Sequence, residues 1–297
     1  MTRHFAAALF ALWLTLAPAF AQDATFTRTE DVIYGRKFGT ALTMDVFQPA
    51  KPNGCAVIFM VSGGWFSGKE AINAGFYKAF LDCGYTVFAV VHGSQPKFTI
   101  PEVTQDIHRA IRYIRTNAAK WGVNPDKFGI SGASAGGHLS LTMGTQGGPG
   151  KPDTKDPVDR ASSAVQAVAC FFPPTDFLNY GQPGEDGTGV GTLKNFKAAF
   201  GPRADADESR KTLGREVSPI YFITAKLPPT LIIHGDADKL VPYQQAESFV
   251  AKAKKAGATA QLINRPGKQH GWPDMGKDVQ LLADWFDEHL RGLKPKP

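Results

Sequence analysis

The sequence predicts an α/β fold: a mainly parallel, doubly wound sheet with helices on both faces. The first observation is four short, continuously apolar runs, Ala56 to Val61, Tyr85 to Val91, Val165 to Phe172 and Thr230 to His234. Runs of this length rich in Val, Ile and Phe suit strands buried on both faces, as in a parallel sheet covered by helices. The second is the helical stripes that alternate with them. Val103, Ile107, Ala110, Ile111, Ile114 and Ala118 recur at helical spacing behind Pro101, and Val279, Leu282, Trp285, Phe286, His289 and Leu290 do so near the C-terminus. Strand and helix signals in alternation are the pattern of βαβ units. The third is scale: 297 residues, 43% hydrophobic and 20% charged, suit one large α/β domain over residues 22–297 and exclude a disordered or fibrous chain.

The elements follow in order. Residues 1–21 read as a signal peptide: Arg3 is a positive start, Phe5 to Leu16 an apolar run too short to span a bilayer, and Ala19-Phe20-Ala21 a small-x-small cleavage site. Cleavage is expected after Ala21, which places the mature chain in a periplasm or outside the cell. No cysteine stands there for a lipid anchor, and no later apolar run is long enough for a membrane anchor. Phe26 to Gln48 reads as strands joined by a Gly-containing turn, an antiparallel edge. Lys127 to Ser131 and Ala260 to Asn264 read as further strands. Residues 173–225, rich in Gly, Pro and Asp, break the rhythm and are expected to form an irregular lid or insertion.

Cys55, Cys83 and Cys170 are the cysteines; Cys55 and Cys83, near the ends of neighbouring elements, are the pair best placed for a disulfide, with three thiols as the alternative. The formal charge of +6 is spread along the chain and no recognition motif accompanies it, so nucleic acid is not an expected partner.

Gly132-Ala133-Ser134-Ala135-Gly136 carries the chemistry. It lies between a strand and a helix start, where a serine on a tight turn projects its hydroxyl above the sheet. That hydroxyl needs a base. Of seven histidines, His4 leaves with the signal, His108 and His289 lie on core helices, His138 sits just inside the helix after Ser134, and His92 and His234 end buried strands. His270 lies in a polar Gly-containing loop before the last helix, where a base can swing over the strand ends. The acid that orients it comes from the loop Gly235 to Pro242; spacing favours Asp238, with Asp236 as a turn-former, but leaves both open. A metal reading of Asp236, Asp238 and His234 lacks a further ligand cluster. The glycines of Val61-Ser62-Gly63-Gly64-Trp65 and the amide of Ala135 are candidate donors to an oxyanion. The order Ser, Asp, His is that of the α/β-hydrolase fold.

Together these residues resemble the bacterial esterase branch of the α/β hydrolases, which includes acetyl-xylan and feruloyl esterases and hormone-sensitive-lipase-like carboxylesterases. The resemblance covers nearly all of residues 22–297 and is densest at Val61 to Ser67, Asp106 to Leu139 and Pro228 to Trp272. The family's elbow, G-x-S-A-G-G-H, matches at His138, and its acid loop, H-G-x-x-D-x-x-V-P, selects Asp238. It implies an oxyanion hole at Gly63, Gly64 and Ala135, and structural roles for Asp106 and Arg109. One departure stands out: the family's H-G-G-G-W is Val61 and Ser62 at its first two positions. Ser62 could add a hydroxyl donor to the hole or support the loop through a hydrogen bond.

The expected reaction is ester hydrolysis through an acyl-enzyme, with no metal or organic cofactor, on a small or polysaccharide-linked ester such as acetylated or feruloylated xylan. Trp65 and Trp272 are candidate substrate-binding walls or plain packing residues. The alternatives are a peptidase of prolyl-oligopeptidase type, whose catalytic domain shares the Asp238 loop but usually accompanies a propeller, and a non-catalytic binding protein.

Overall fold

The computed structural model describes residues 26–294, so the expected signal peptide lies outside the described residues. The N-terminal edge is the hairpin β1 (Phe26–Lys37) and β2 (Thr40–Pro49), turned at Phe38 and Gly39, both with positive φ. Then come β3 (Ala56–Met60), β4 (Thr86–Val90), β5 (Phe128–Ala133), β6 (Ala167–Phe171), β7 (Thr230–Gly235) and β8 (Ala260–Arg265). They form an eight-stranded sheet in the order β1-β2-β4-β3-β5-β6-β7-β8. β2 is antiparallel to both β1 and β4, and every other pairing is parallel. This is the expected antiparallel edge on a parallel sheet, and strand limits fall within one or two residues of the apolar runs.

The helices are α1 (Lys78–Asp82), α2 (Ile100–Thr116), α3 (Ala135–Gln146), α4 (Pro157–Arg160), α5 (Lys197–Phe200), α6 (Asp207–Val217), α7 (Gln244–Lys255) and α8 (Met275–Arg291). Thr99 and Glu102 close a capping box at the start of α2, beside Pro101 in its first turn. The stripe Val103, Ile107, Ala110, Ile111 and Ile114 packs with α3 and α7 under one face of the sheet, against Ile58, Met60 and Ile130. On the other face Phe80 and Leu81 of α1 meet Val279, Leu282 and Phe286 of α8 over Val57, Phe59 and Phe171. The loops after β3, β5, β7 and β8 emerge at the strands' C-terminal ends, where open α/β sheets bind ligands.

Two expectations change. Residues 173–225 are more regular than their composition predicts: α5 and α6 lie there among short 3-10 turns, and Phe177, Tyr180, Leu193, Phe200 and Leu213 are buried. Helix α6 was hidden because Gly214 interrupts it and only its Leu213–Val217 side is covered. The cysteines also form no disulfide among the described residues. The Cys55 thiol is buried, which raises its pKa, and Cys83 accepts a hydrogen bond from Gln280 Nε2 at 3.7 Å.

Candidate active site

Strand β5 ends in the turn that presents Ser134. The serine has φ 55° and ψ −119°, a conformation an L residue adopts only under strain, and its carbonyl already accepts from His138 N at 2.9 Å. The small neighbours are a steric requirement. A Cβ on Gly132 would lie 2.6 Å from the Gly136 backbone, and one on Gly136 would lie 2.7 Å from the Met60 carbonyl. Ser134 thus caps α3, where the helix dipole favours negative charge.

The loop after β8 brings His270 over this turn. His270 Nε2 lies 2.8 Å from Ser134 Oγ, and Nδ1 lies 2.7 Å from Asp238 Oδ2. Asp238 is fully embedded. Its Oδ1 accepts the Leu240 and Val241 amides, both at 2.9 Å, and its Oδ2 also faces His234 Nε2 at 3.2 Å. Burial alone would raise its pKa, but hydrogen bonds from His234, His270 and Val241 outweigh it and hold the carboxyl well below the ordinary range. Asp236 points elsewhere. It accepts Asn264 Nδ2 at 3.0 Å and Gly267 N at 2.7 Å, so it braces the strand end and the loop that carries His270. The two aspartates therefore diverge, and among the described residues no three His, Cys, Asp or Glu side chains are grouped to hold a metal ion.

The loop after β3 is a two-residue hairpin: Gly63 N–H donates to Phe66 O at 3.0 Å and Phe66 N–H to Gly63 O at 2.9 Å. Its central residues, Gly64 (φ 54°) and Trp65 (φ 61°), have the paired positive φ of a type I′ turn. The three expected donors are thereby divided. The Gly63 amide holds the turn, while those of Gly64 and Ala135 have no acceptor among the described residues. The support lost with the family's histidine comes from other side chains. Ser67 Oγ donates to Val61 O at 2.5 Å and accepts His92 N at 3.1 Å, and Gln95 Nε2 donates to Gly64 O. Neither Ser67 nor Gln95 was legible as a brace, because each acts across a loop rather than within a motif.

Beneath that hairpin Trp65 is 2% exposed and packs on Phe177, Phe196 and Phe200. Its Nε1–H donates to His138 Nδ1 at 3.2 Å, and His138 Nε2–H donates to Val217 O at 2.7 Å. Burial lowers the pKa of His138, and likewise that of His92, to about 4. In the unfolded chain both titrate near pH 6.5, so between about 6.5 and 4 the unfolded state binds protons that the folded state refuses. Their stabilisation is complete above that window and falls as pH drops through it, by up to about 3 kcal/mol for each residue. Urea midpoints at pH 8, 6.5 and 5 should therefore be similar at the first two and clearly lower at the third. A flat profile from 6.5 to 5 would contradict the buried, uncharged state of these rings.

A cavity of about 510 Å³ opens on Ser134, His270, Gly64 and Ala135. Phe172, Pro174, Leu193, Phe196, Leu240 and Met275 make its walls largely apolar. Trp65 adds only an edge. Trp272 is not a wall: it is buried behind Phe172, packed edge-on against Phe171 and Phe172, and its Nε1 donates to Asp278 Oδ2 at 2.9 Å. It supports Phe172, whose ring lies 4.6 Å from that of His270. Phe196 lies so close to the hairpin that a Cβ on Gly64 would come within 2.4 Å of its ring. Gly64→Ala is thus expected to lower kcat on a short nitrophenyl ester by roughly 100-fold, the effect of misplacing one oxyanion donor. Steady-state kinetics beside a urea curve measure it, and unchanged kcat would show that this amide is not used.

Residues 44–253 match the family model described as BD-FAE. The chain belongs to the BD-FAE family. Curated relatives include a probable carboxylic ester hydrolase, LipM, and the esterase LipQ, both of Mycobacterium tuberculosis. Each is 27% identical to the chain, over 90% and 89% of its length. The BD-FAE chain spans 63% and 62% of those proteins. Among solved structures, a truncated carbohydrate esterase from gut microbiota is 27% identical with a TM-score of 0.76, covering 91% of this chain and 98% of that one. An esterase of Thermogutta terrifontis, phosphonylated by sarin, is 27% identical with a TM-score of 0.71, covering 90% and 96%. The fold is accordingly that of the α/β hydrolases. Among the described residues no helix is long and apolar enough to cross a membrane.

Proposed function

We propose that the protein is a serine carboxylic-ester hydrolase in which Ser134 is the nucleophile, His270 the general base and acid, and Asp238 the group that orients and stabilises the imidazolium. One observation carries this reading: an unbroken relay from Ser134 Oγ to His270 at 2.8 Å and from His270 to Asp238 at 2.7 Å, facing an apolar cavity beside two unengaged amides. His270 Nε2 takes the hydroxyl proton as Oγ attacks the ester carbonyl. The Gly64 amide, and that of Ala135 at the positive end of α3, stabilise the oxyanion. Collapse expels the alcohol with the proton from His270, and water, activated by the same nitrogen, hydrolyses the acyl-enzyme.

The substrate we propose is an acyl ester of extracellular carbohydrate, the acyl group in the apolar cavity and the sugar outside it. Two features support this: the signal-like residues 1–21, which point to a secreted or periplasmic enzyme, and the likeness to a carbohydrate esterase. The cavity has room for an aromatic acyl group as well as acetyl. The test is a panel of nitrophenyl esters, methyl ferulate and acetylated xylan, run beside Ser134→Ala. Turnover of acetylated xylan or methyl ferulate that disappears in the variant is expected. Turnover of short nitrophenyl esters alone would remove the carbohydrate substrate and leave the mechanism. No turnover, with no labelling of Ser134 by a fluorophosphonate, would remove both.

A further inference from the structure

We propose that the Ser62 hydroxyl is a third donor to the oxyanion, in the place where the family carries its first oxyanion-loop glycine; this rests on the ester-hydrolase reading above. Three observations converge on it. First, Ser62 Oγ is buried and has no hydrogen-bond partner among the described residues. A buried hydroxyl without a partner is uncommon in a native protein and needs an explanation. Second, the support of the loop is complete without it. Ser67 Oγ holds Val61 O and His92 N, Ser94 Oγ accepts Ser67 N at 3.2 Å, and Gln95 holds Gly64 O. A loop-stabilising bond, the other role its sequence allows, is not made. Third, Ser62 lines the same cavity as Ser134, Gly64 and Ala135. Its carbonyl packs against the first turn of α3, only 3.3 Å from where a Cβ of Gly136 would lie, so the residue joins the loop after β3 to the start of that helix.

The need for such a donor also follows from the hairpin. With the Gly63 amide bonded to Phe66 O, two of the three expected amide donors, those of Gly64 and Ala135, have no acceptor among the described residues. In this rotamer Ser62 Oγ is closed off from solvent, and a turn about χ1 to another staggered position brings its proton to an oxygen that acquires charge in the transition state. It contributes little to the ground-state ester, whose carbonyl oxygen is less charged. Its effect therefore belongs in kcat rather than KM.

The experiment compares Ser62→Ala, Ser62→Gly and Ser62→Thr on a short nitrophenyl ester, with fluorophosphonate labelling rates and urea midpoints. Alanine and glycine are expected to lower kcat about tenfold or more with KM nearly unchanged, and to slow labelling in parallel. Threonine, which keeps the hydroxyl, should retain most of the activity. The urea midpoints of the alanine and glycine variants should stay level or rise, because an unpaired buried hydroxyl is removed. Unchanged kcat in Ser62→Gly, or a loss confined to KM or to the urea midpoint, overturns the proposal while Ser134→Ala remains dead. Full activity in Ser134→Ala overturns this proposal and the ester-hydrolase reading together.

Discussion

Ser134→Ala is expected to reduce kcat on a short nitrophenyl ester by roughly 10⁴-fold or more and to abolish fluorophosphonate labelling, while folding is preserved. Loss of the oxygen removes the hydroxyl that lies 2.8 Å from His270 Nε2. What remains is the polarising effect of the hole on a bound ester. The turn itself supplies a second readout. Position 134 holds φ 55° and ψ −119° whatever its side chain, because β5 pairs with β6 up to Ala133 and α3 starts at Ala135. Alanine inherits the strain and glycine does not. Ser134→Gly should therefore be more stable than Ser134→Ala by about 1–2 kcal/mol, with both inactive. Equal urea midpoints for the two would mean that the turn is not strained. Activity surviving in either would mean that Ser134 is not the nucleophile.

Strain of this kind is concentrated at the site. Among the described residues five non-glycines have positive φ, and three of them, Trp65, Ser134 and Phe172, stand around the cavity. Of these only Ser134 was foreseen, because a G-x-S-x-G motif between a strand and a helix specifies its own geometry. The strands were equally legible. A parallel strand covered on both faces must be apolar throughout, so β3, β4, β6 and β7 announced themselves without homologues. His270 could be chosen because a base must come from a loop above the strand ends, whereas His4 falls in the expected signal peptide and the other five histidines sit on helices or at the ends of buried strands.

What the sequence hid depends on contacts between distant segments. Phe196 and Leu193 shape the cavity from a Gly- and Pro-rich stretch with no periodicity to mark a wall. The two candidate tryptophans looked alike, yet one lies beneath the Gly63–Phe66 hairpin and the other behind Phe172, where it braces that ring. Gly63 looked equivalent to Gly64 until the Phe66 carbonyl claimed its amide. The altered Val61 and Ser62 pair was visible as a departure, but its compensation by Ser67 and Gln95 was not. A hydrogen bond that closes a loop onto the next strand leaves no local pattern.

The two aspartates after β7 give the second large effect. Asp238→Asn is expected to lower kcat/KM by roughly 10³- to 10⁴-fold, whereas Asp236→Asn should change it by less than about tenfold. Asp238 receives four N–H groups, from Leu240, Val241, His234 and His270, and a carboxylate can accept all of them. An asparagine accepts on one side only. If its NH₂ group faces the backbone amides, donor meets donor in a buried site, and the loop that holds position 238 is disturbed. If NH₂ faces the imidazoles instead, His270 must turn to the tautomer that carries its proton on Nε2. That tautomer cannot take the proton of Ser134. Either orientation disables the relay, and the negative charge that balances the imidazolium is gone in both. Asp236 differs because its partners, Asn264 and Gly267, lie at the surface, where an asparagine oxygen can still accept the Gly267 amide. Kinetics on the two variants measure the contrast, with fluorophosphonate labelling of Ser134 slowed only in Asp238→Asn. Equal losses would show that the loop's shape, and not the carboxylate at 238, sets the activity.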